Sequence, residues 1–135
     1  MSYELKPHQA GVRIFVKAET LEQLFSDALS GLAKVVYHKE IDKQKLFENK
    51  EIEIESIDST VLLIDFLSEV LSLMHQNKTV FCIVEFEQLT ESYLKCKVRG
   101  FKINGFDEDV KGVTYHEADI QKIDGILQTF IVLDI

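Results

Sequence analysis

The sequence contains few of the residues that would mark a disulfide framework, an interdomain linker or a membrane span. Its two cysteines, Cys82 and Cys96, lack CxxC spacing and lie in apolar, strand-like runs, which predicts free thiols in a reducing cytosol. The single proline is Pro7, and no Pro/Gly-rich stretch or repeat interrupts the chain. The longest apolar run is about five residues, against the ~20 needed to span a bilayer. We therefore expect a soluble cytoplasmic protein.

Positive charge is also scarce. The chain has 15 basic and 23 acidic residues, a formal net charge of −8, and its only arginines are Arg13 and Arg99. Such a surface repels a phosphate backbone, so we do not expect direct, tight nucleic-acid binding. A chain of 135 residues with 46% hydrophobic content can bury one substantial core. These values predict a single domain over residues 1–135.

Two segments have helical periodicity. Thr20 followed by Gln23 forms a capping box, and apolar residues then recur at three- and four-residue spacing up to Val36. Asp58 or Ser59 caps a second helix. The apolar stripe of that helix comprises Leu63, Phe66, Leu67, Val70, Leu71 and Met74.

The remaining patterns are typical of strands, which we predict at 12–18, 51–55, 79–87, 93–99, 110–119 and 126–134. Asn104-Gly105 and Asp124-Gly125 predict tight turns, and the last strand would pair antiparallel with the strand that bears Tyr115 and His116. We interpret residues 38–50 as a charged connection with a short helical turn. We predict an α+β domain in which two amphipathic helices pack on a mixed, largely antiparallel sheet of about six strands.

Several polar residues are of types used in catalysis, but we identify no complete catalytic arrangement among them. Asp65 and Glu69 are four residues apart, but nothing basic accompanies them, so we interpret them as a solvated helix face. Tyr115 and His116 would point to opposite faces of a strand, and we interpret Tyr115 as a packing residue whose hydroxyl is satisfied locally. His8 and His116 would offer two imidazoles for zinc if their strands met, but neither cysteine has ligand spacing.

Five segments together resemble the archease family. These are His8-Gln9-Ala10-Gly11, where the family has His-Thr-Ala-Asp, then Thr20-Leu21-Glu22, the helix segment 62–71, and Lys111-Gly112-Val113-Thr114-Tyr115-His116, with Val132-Leu133-Asp134-Ile135 at the end. The segments follow in the family's order and cover nearly the whole chain. The predicted fold is therefore archease-like.

The resemblance implies an activator and not an enzyme. Archeases promote the guanylylation of the RNA ligase that seals tRNA exons, and so allow that ligase to turn over many times. The expected partner is an RNA ligase of the tRNA-splicing type. The resemblance places Lys111, His8 and His116 on the activating surface.

The resemblance also implies a metal site, from which this sequence departs. The family's ligands are the aspartate of His-Thr-Ala-Asp, the penultimate aspartate and an oxygen of the last residue. Only Asp134 and Ile135 carry over, because Gly11 stands at the first position. Ca²⁺ or another hard divalent cation requires many oxygens, so we expect weak or absent binding. The terminal carboxylate of Ile135, or a carboxylate of residues 107–109, would have to replace the ligand that is missing at Gly11.

Two alternatives remain open at this stage. One is a divergent archease-like binding protein that has lost metal-dependent activation. The other is a metal-dependent hydrolase or transferase that uses His8, His116 and Asp134, although no nucleophile with an adjacent base is visible.

Overall fold

The computed structural model describes residues 2–8 and 11–135, and the side chains of residues 6–8 lie outside the description. Within these ranges the chain forms two α-helices, a short 3₁₀ helix over Lys43–Lys45 and eight strands. The helices are α1 (Leu21–Val36) and α2 (Ser59–Asn77). The strands are β1 (Ser2–His8), β2 (Gly11–Ala18), β3 (Glu48–Glu55), β4 (Thr79–Leu89), β5 (Tyr93–Lys102), β6 (Gly112–Thr114), β7 (Gln121–Ile123) and β8 (Ile126–Asp134).

The described strands form two antiparallel sheets. The first sheet has the order β1-β2-β8-β6, with β7 also paired to β8, and the second has the order β3-β5-β4. The α+β class with largely antiparallel pairing is confirmed, whereas eight strands replace the six predicted. The sequence prediction missed β1, which contains Pro7; this residue is tolerated because β1 is an edge strand, where an N–H can be absent without loss of a ladder bond.

Both helices contact both layers of strands. On one side of α1, a Cβ added at Gly31 would lie 3.0 Å from the Ile14 side chain of β2. On the other side, the Phe25 ring lies 6.1 Å from the Phe86 ring of β4, and Phe66 of α2 lies at the same distance from that ring. The helices therefore carry broad apolar faces, because each must fill space between two sheets.

The predicted caps start the two helices. Thr20 Oγ1 accepts a hydrogen bond from the Gln23 N–H at 3.1 Å, and Asp58 Oδ1 accepts one from the Val61 N–H at 2.9 Å. Helix α2 ends at Lys78, which adopts a left-handed conformation with φ 48°. No helix in the described ranges has the length and apolar character needed to cross a membrane.

The region after β5 differs most from the prediction. Asn104-Gly105 lies in an irregular connection, and the strand predicted at 110–119 is reduced to Gly112–Thr114. Tyr115 and His116 follow that strand in a turn. In contrast, Asp124-Gly125 forms the predicted hairpin between β7 and β8, with positive φ at both residues.

Candidate functional site

A row of four paired backbone positions crosses the first sheet. His8 lies opposite Gly11, Gly11 opposite Asp134, and Asp134 opposite Gly112 on its other side. We call these four residues the Asp134 row. The side chain of His8 lies outside the described part of the chain, as do Gln9 and Ala10. The expectation that the segment around Gly11 meets the segment around Asp134 agrees with this register.

Lys111 lies beside this row. Its backbone N–H donates to the Asp134 carbonyl at 2.7 Å, and its ammonium lies 3.2 Å from the Asp109 carboxylate. The Lys111 side chain is 66% exposed, and Asp134 and Ile135 are exposed as well. The structure thus brings together three of the predicted site residues at one solvent-facing end of the first sheet.

A depression of about 240 Å³ adjoins Lys111. It lies between the C-terminal half of α2 and β6, and Ser68, Ser72 and His75 contribute to its wall. His75 Nε2 lies 3.0 Å from the Val110 carbonyl oxygen, and its ring packs 5.1 Å from the Phe106 ring. His75 therefore holds the backbone that leads into Lys111, a role that its polar sequence surroundings did not indicate.

Gly11 allows a close approach of two strands. A Cβ added at Gly11 would lie 1.8 Å from the Leu133 carbonyl oxygen and 2.9 Å from its carbon. These distances are too short for non-bonded atoms, so the backbone would have to move to make room for a side chain. A Cβ added at Gly112, on the opposite side of Asp134, would meet nothing within 4 Å. Gly11, which stands where the family has an aspartate, is therefore required by the close pairing of β2 with β8.

The described residues do not fit a complete calcium site. Asp134 and Ile135 supply oxygens in the row, but Asp109 is paired with Lys111, and Asp107 accepts a hydrogen bond from the His38 N–H at 2.7 Å. In residues 2–8 and 11–135 no group of three or more His, Cys, Asp or Glu is arranged to hold a metal. Calcium prefers six to eight oxygen ligands. We therefore assign no role that depends on a bound cation.

His116 lies two residues beyond the end of β6. Gly112 pairs with Asp134 and Thr114 pairs with Val132, so β6 runs away from Asp134 towards His116. Its backbone N–H donates to Thr114 Oγ1 at 3.2 Å. The grouping of His116 with His8 and Asp134 therefore stays a prediction.

The turn that carries Tyr115 and His116 is tied to α2. The Tyr115 hydroxyl donates to one oxygen of Asp65, and the Ile120 N–H donates to Thr60 Oγ1 at 3.0 Å. Tyr115 is 57% exposed, so the interpretation of its ring as a packing group was wrong, and its hydroxyl is satisfied by a residue 50 positions away in the chain. The hydrogen bond to Asp65 raises the pKa of Tyr115 above its ordinary value, because it stabilises the protonated phenol.

The same turn is held from the other side of the sheet. Glu117 forms an ion pair with Arg13 at 2.9 Å, and the Arg13 guanidinium lies 4.5 Å from the centre of the Phe130 ring. Asp65 also accepts a hydrogen bond from Ser56 Oγ at 2.7 Å, so the solvated-face interpretation of this residue was wrong. Apart from the bond between Ser56 and Asp65, the contacts of this turn join residues 50 or more positions apart, which no local pattern could reveal.

The fold and the paired chain ends define a class of small α+β proteins represented by two solved structures. The solution structure of Protein 1598 from Methanobacterium thermoautotrophicum superposes with a TM-score of 0.78 at 23% identity, covering 98% of each chain. The crystal structure of an archease, possible chaperone, from Thermotoga maritima superposes with a TM-score of 0.68 at 18% identity, covering 96% of each chain. At these identities the likeness establishes the fold.

Sequence comparison establishes the family. The Archease protein family model matches residues 3–135. The archease of Pyrococcus abyssi is 31% identical over 141 residues, with 98% of each chain covered. The archease of Thermococcus kodakarensis is 32% identical over 128 residues, covering 90% of this chain and 89% of its own, and that of Methanosarcina mazei is 29% identical over 143 residues, covering 98% and 95%. The chain belongs to the archease family.

Proposed function

We propose that this archease is a cytoplasmic accessory protein that activates an RNA ligase of the tRNA-splicing type. It would promote guanylylation of the ligase and allow many turnovers, without an activity of its own. The observation that carries the proposal is the hydrogen bond between the Lys111 N–H and the Asp134 carbonyl, at 2.7 Å. It fixes the backbone of Lys111, whose side chain is exposed, beside the exposed residue Asp134 at one end of the first sheet.

This arrangement suits an activator that works on another protein's nucleotide site. The Lys111 ammonium is mostly solvent-accessible, so it can approach a phosphate or carboxylate of a partner as a flexible point charge. The chain as a whole is acidic, with a net charge of −8, and would therefore not compete with the ligase for RNA. The activator would dock, act and leave while the ligase keeps the RNA.

Multiple-turnover ligation tests the proposal. With limiting RNA ligase from the same organism, wild-type archease should raise the number of sealed RNA molecules per ligase well above one. Lys111→Ala should lose most of this stimulation, whereas Lys122→Ala, an exposed lysine of β7, should retain it. Ligation that stays at a single turnover with stoichiometric wild-type archease would rule out the proposal.

The geometry of Gly11 favours a second candidate, an archease that binds its partner without metal-dependent activation. A carboxylate at Gly11 is excluded by the Leu133 carbonyl, so the row offers few anionic oxygens. Calorimetric titration with Ca²⁺ should show weak or no binding by the wild type. Gly112→Asp would place a second carboxylate opposite Asp134 and should bind Ca²⁺ more tightly. Tight binding by the wild type would instead restore a metal-dependent role.

The hydrolase alternative finds less support. It requires His116 and Asp134 to act on one substrate, whereas the register of β6 with β8 brings Gly112, four residues before His116, opposite Asp134. An intrinsic activity abolished by His116→Ala would be needed to revive it.

A further inference from the structure

Two large apolar side chains are exposed on either side of Asp65. Ile57 is 85% exposed, the highest value for a large apolar side chain among the residues that the structure describes, and Tyr115 is 57% exposed. One oxygen of Asp65 accepts the Ser56 hydroxyl next to Ile57, and the other accepts the Tyr115 hydroxyl. We call Ile57 and Tyr115 the Ile57–Tyr115 patch.

Ile57 is held in place although it touches little. The Ser56 N–H donates to the Ser92 carbonyl at 2.8 Å, and the Ser56 hydroxyl donates to Asp65 at 2.7 Å. On the other side, Asp58 caps α2 by accepting the Val61 N–H at 2.9 Å. Ile57 thus sits between two anchored residues, so little conformational entropy would be lost if a partner covered it.

Tyr115 is anchored in the same way. Its hydroxyl is bound to Asp65, and its carbonyl accepts the Ala118 N–H at 3.1 Å in the following turn. The aromatic ring is therefore presented in a fixed orientation while most of its surface stays in water. Rigid aromatic and aliphatic groups of this kind are the usual anchors of protein interfaces.

The negative charges around the patch favour one kind of partner. Segments 55–60 and 115–120 contain no lysine or arginine. Glu117 is paired with Arg13, which leaves Glu55, Asp58 and Asp119 as exposed carboxylates. These charges repel nucleic acid, and a two-fold contact with a second copy would place the same carboxylates against each other. They complement a protein whose surface is basic around an apolar pocket.

We infer that the Ile57–Tyr115 patch is a docking surface for a basic protein partner, with Asp65 as the residue that positions both of its members. The inference rests on the proposed function, since it takes that partner to be the RNA ligase. The patch is distinct from Lys111 and the Asp134 row, so docking and activation are separable. A variant of the patch should lose affinity, whereas Lys111→Ala should lose stimulation at saturating archease.

The chain offers a matched control for the apolar contact. Phe47 is 77% exposed and precedes β3, whereas Ile57 follows it, so the two lie roughly 30 Å apart at opposite ends of one strand. Affinity for the ligase would be measured by anisotropy of labelled archease, with unfolding curves to confirm that each variant is folded. Ile57→Ser should weaken binding about ten-fold or more, and Phe47→Ser should leave it within about two-fold.

Two further variants test the positioning and the charge. Tyr115→Phe keeps the ring but removes the hydrogen bond to Asp65, and should weaken binding between about two-fold and ten-fold. Glu55→Lys should slow association and reduce its dependence on ionic strength, whereas Glu40→Lys, in the connection near Phe47, should not.

The outcomes separate the two proposals. If wild-type archease binds the ligase and Ile57→Ser binds it equally well, the docking inference is wrong and the proposed function stands. If the wild type neither binds nor stimulates the ligase, the proposed function is wrong, and the docking inference, which commits to this partner, is wrong with it. Equal losses in Ile57→Ser and Phe47→Ser would also contradict the inference, because binding would then follow general surface hydrophobicity.

Discussion

Gly11 and Gly112 flank the same residue and have different structural roles. Both pair with Asp134, but the Leu133 carbonyl fills the space beside Gly11, whereas the space beside Gly112 is open. The missing metal ligand at Gly11 was visible in the sequence because the surrounding motif is recognisable. The reason that an aspartate does not fit there lies in the spacing of two strands whose residues are more than 120 positions apart.

This difference predicts opposite effects of one substitution. Gly11→Asp should destabilise the protein by about 1–3 kcal/mol, since the new Cβ forces β2 and β8 apart. Gly112→Asp should cost less, the main penalty being repulsion from Asp134. Denaturant unfolding of both variants measures the two effects. Equal stability of Gly11→Asp and wild type would show that the strands yield easily at this position.

The hydrogen bond between Tyr115 and Asp65 predicts a dependence on alkaline pH. The folded-state pKa of Tyr115 is raised above 10.0, so its contribution to stability is present below pH 10 and is lost as the pH rises through the folded pKa. The stability advantage of wild type over Tyr115→Phe should therefore shrink above pH 10. Spectrophotometric titration should also show one high-pKa tyrosine fewer in Tyr115→Phe. An advantage that persists unchanged at high pH would contradict this assignment.

At the scale of elements, α2 connects the core to the candidate docking surface. Its buried side supplies Phe66 to the core, while Thr60 and Asp65 bind the turn after β6. The two helices could be predicted because their caps and periodicity are local signals. The shortening of the strand predicted at 110–119 could not be, because Tyr115 has strand propensity and its contact with Asp65 of α2 is not visible in the local sequence.

The cap of α2 predicts a stability change at the element scale. Asp58→Ala removes the acceptor for the Val61 N–H and should cost about 1 kcal/mol. Asp42→Ala, which removes the acceptor for the Gln44 N–H of a three-residue 3₁₀ helix, should cost less because little structure depends on it. Chemical denaturation compares them. A larger loss in Asp42→Ala would mean that the charged connection stabilises the fold more than α2's first turn does.

At the scale of the whole molecule, two sheets pack on the helices, and the first sheet brings β2 and the last strand together. The pairing of β2 with β8 could be anticipated from the family resemblance. The division into two sheets could not, since alternating strands carry no signal of which sheet they join. The second sheet contains both cysteines, Cys82 on β4 and Cys96 on β5, each with its side chain buried.

Burial of the cysteines predicts that their reactivity reports global unfolding. Burial raises the pKa of Cys82 to about 11 and that of Cys96 to about 12, so little thiolate exists at neutral pH. A thiol reagent should modify neither residue in the native protein and both after denaturation. Rapid labelling of either thiol under native conditions would show that β4 or β5 opens locally.

We propose that the exposed end of the first sheet activates a ligase. This is tested by the initial rate at which the RNA ligase of the same organism becomes guanylylated, with and without this archease at stoichiometric amounts. We expect a clear acceleration by the wild type that Lys111→Ala loses. An unchanged rate with folded wild-type archease bound to the ligase would contradict it.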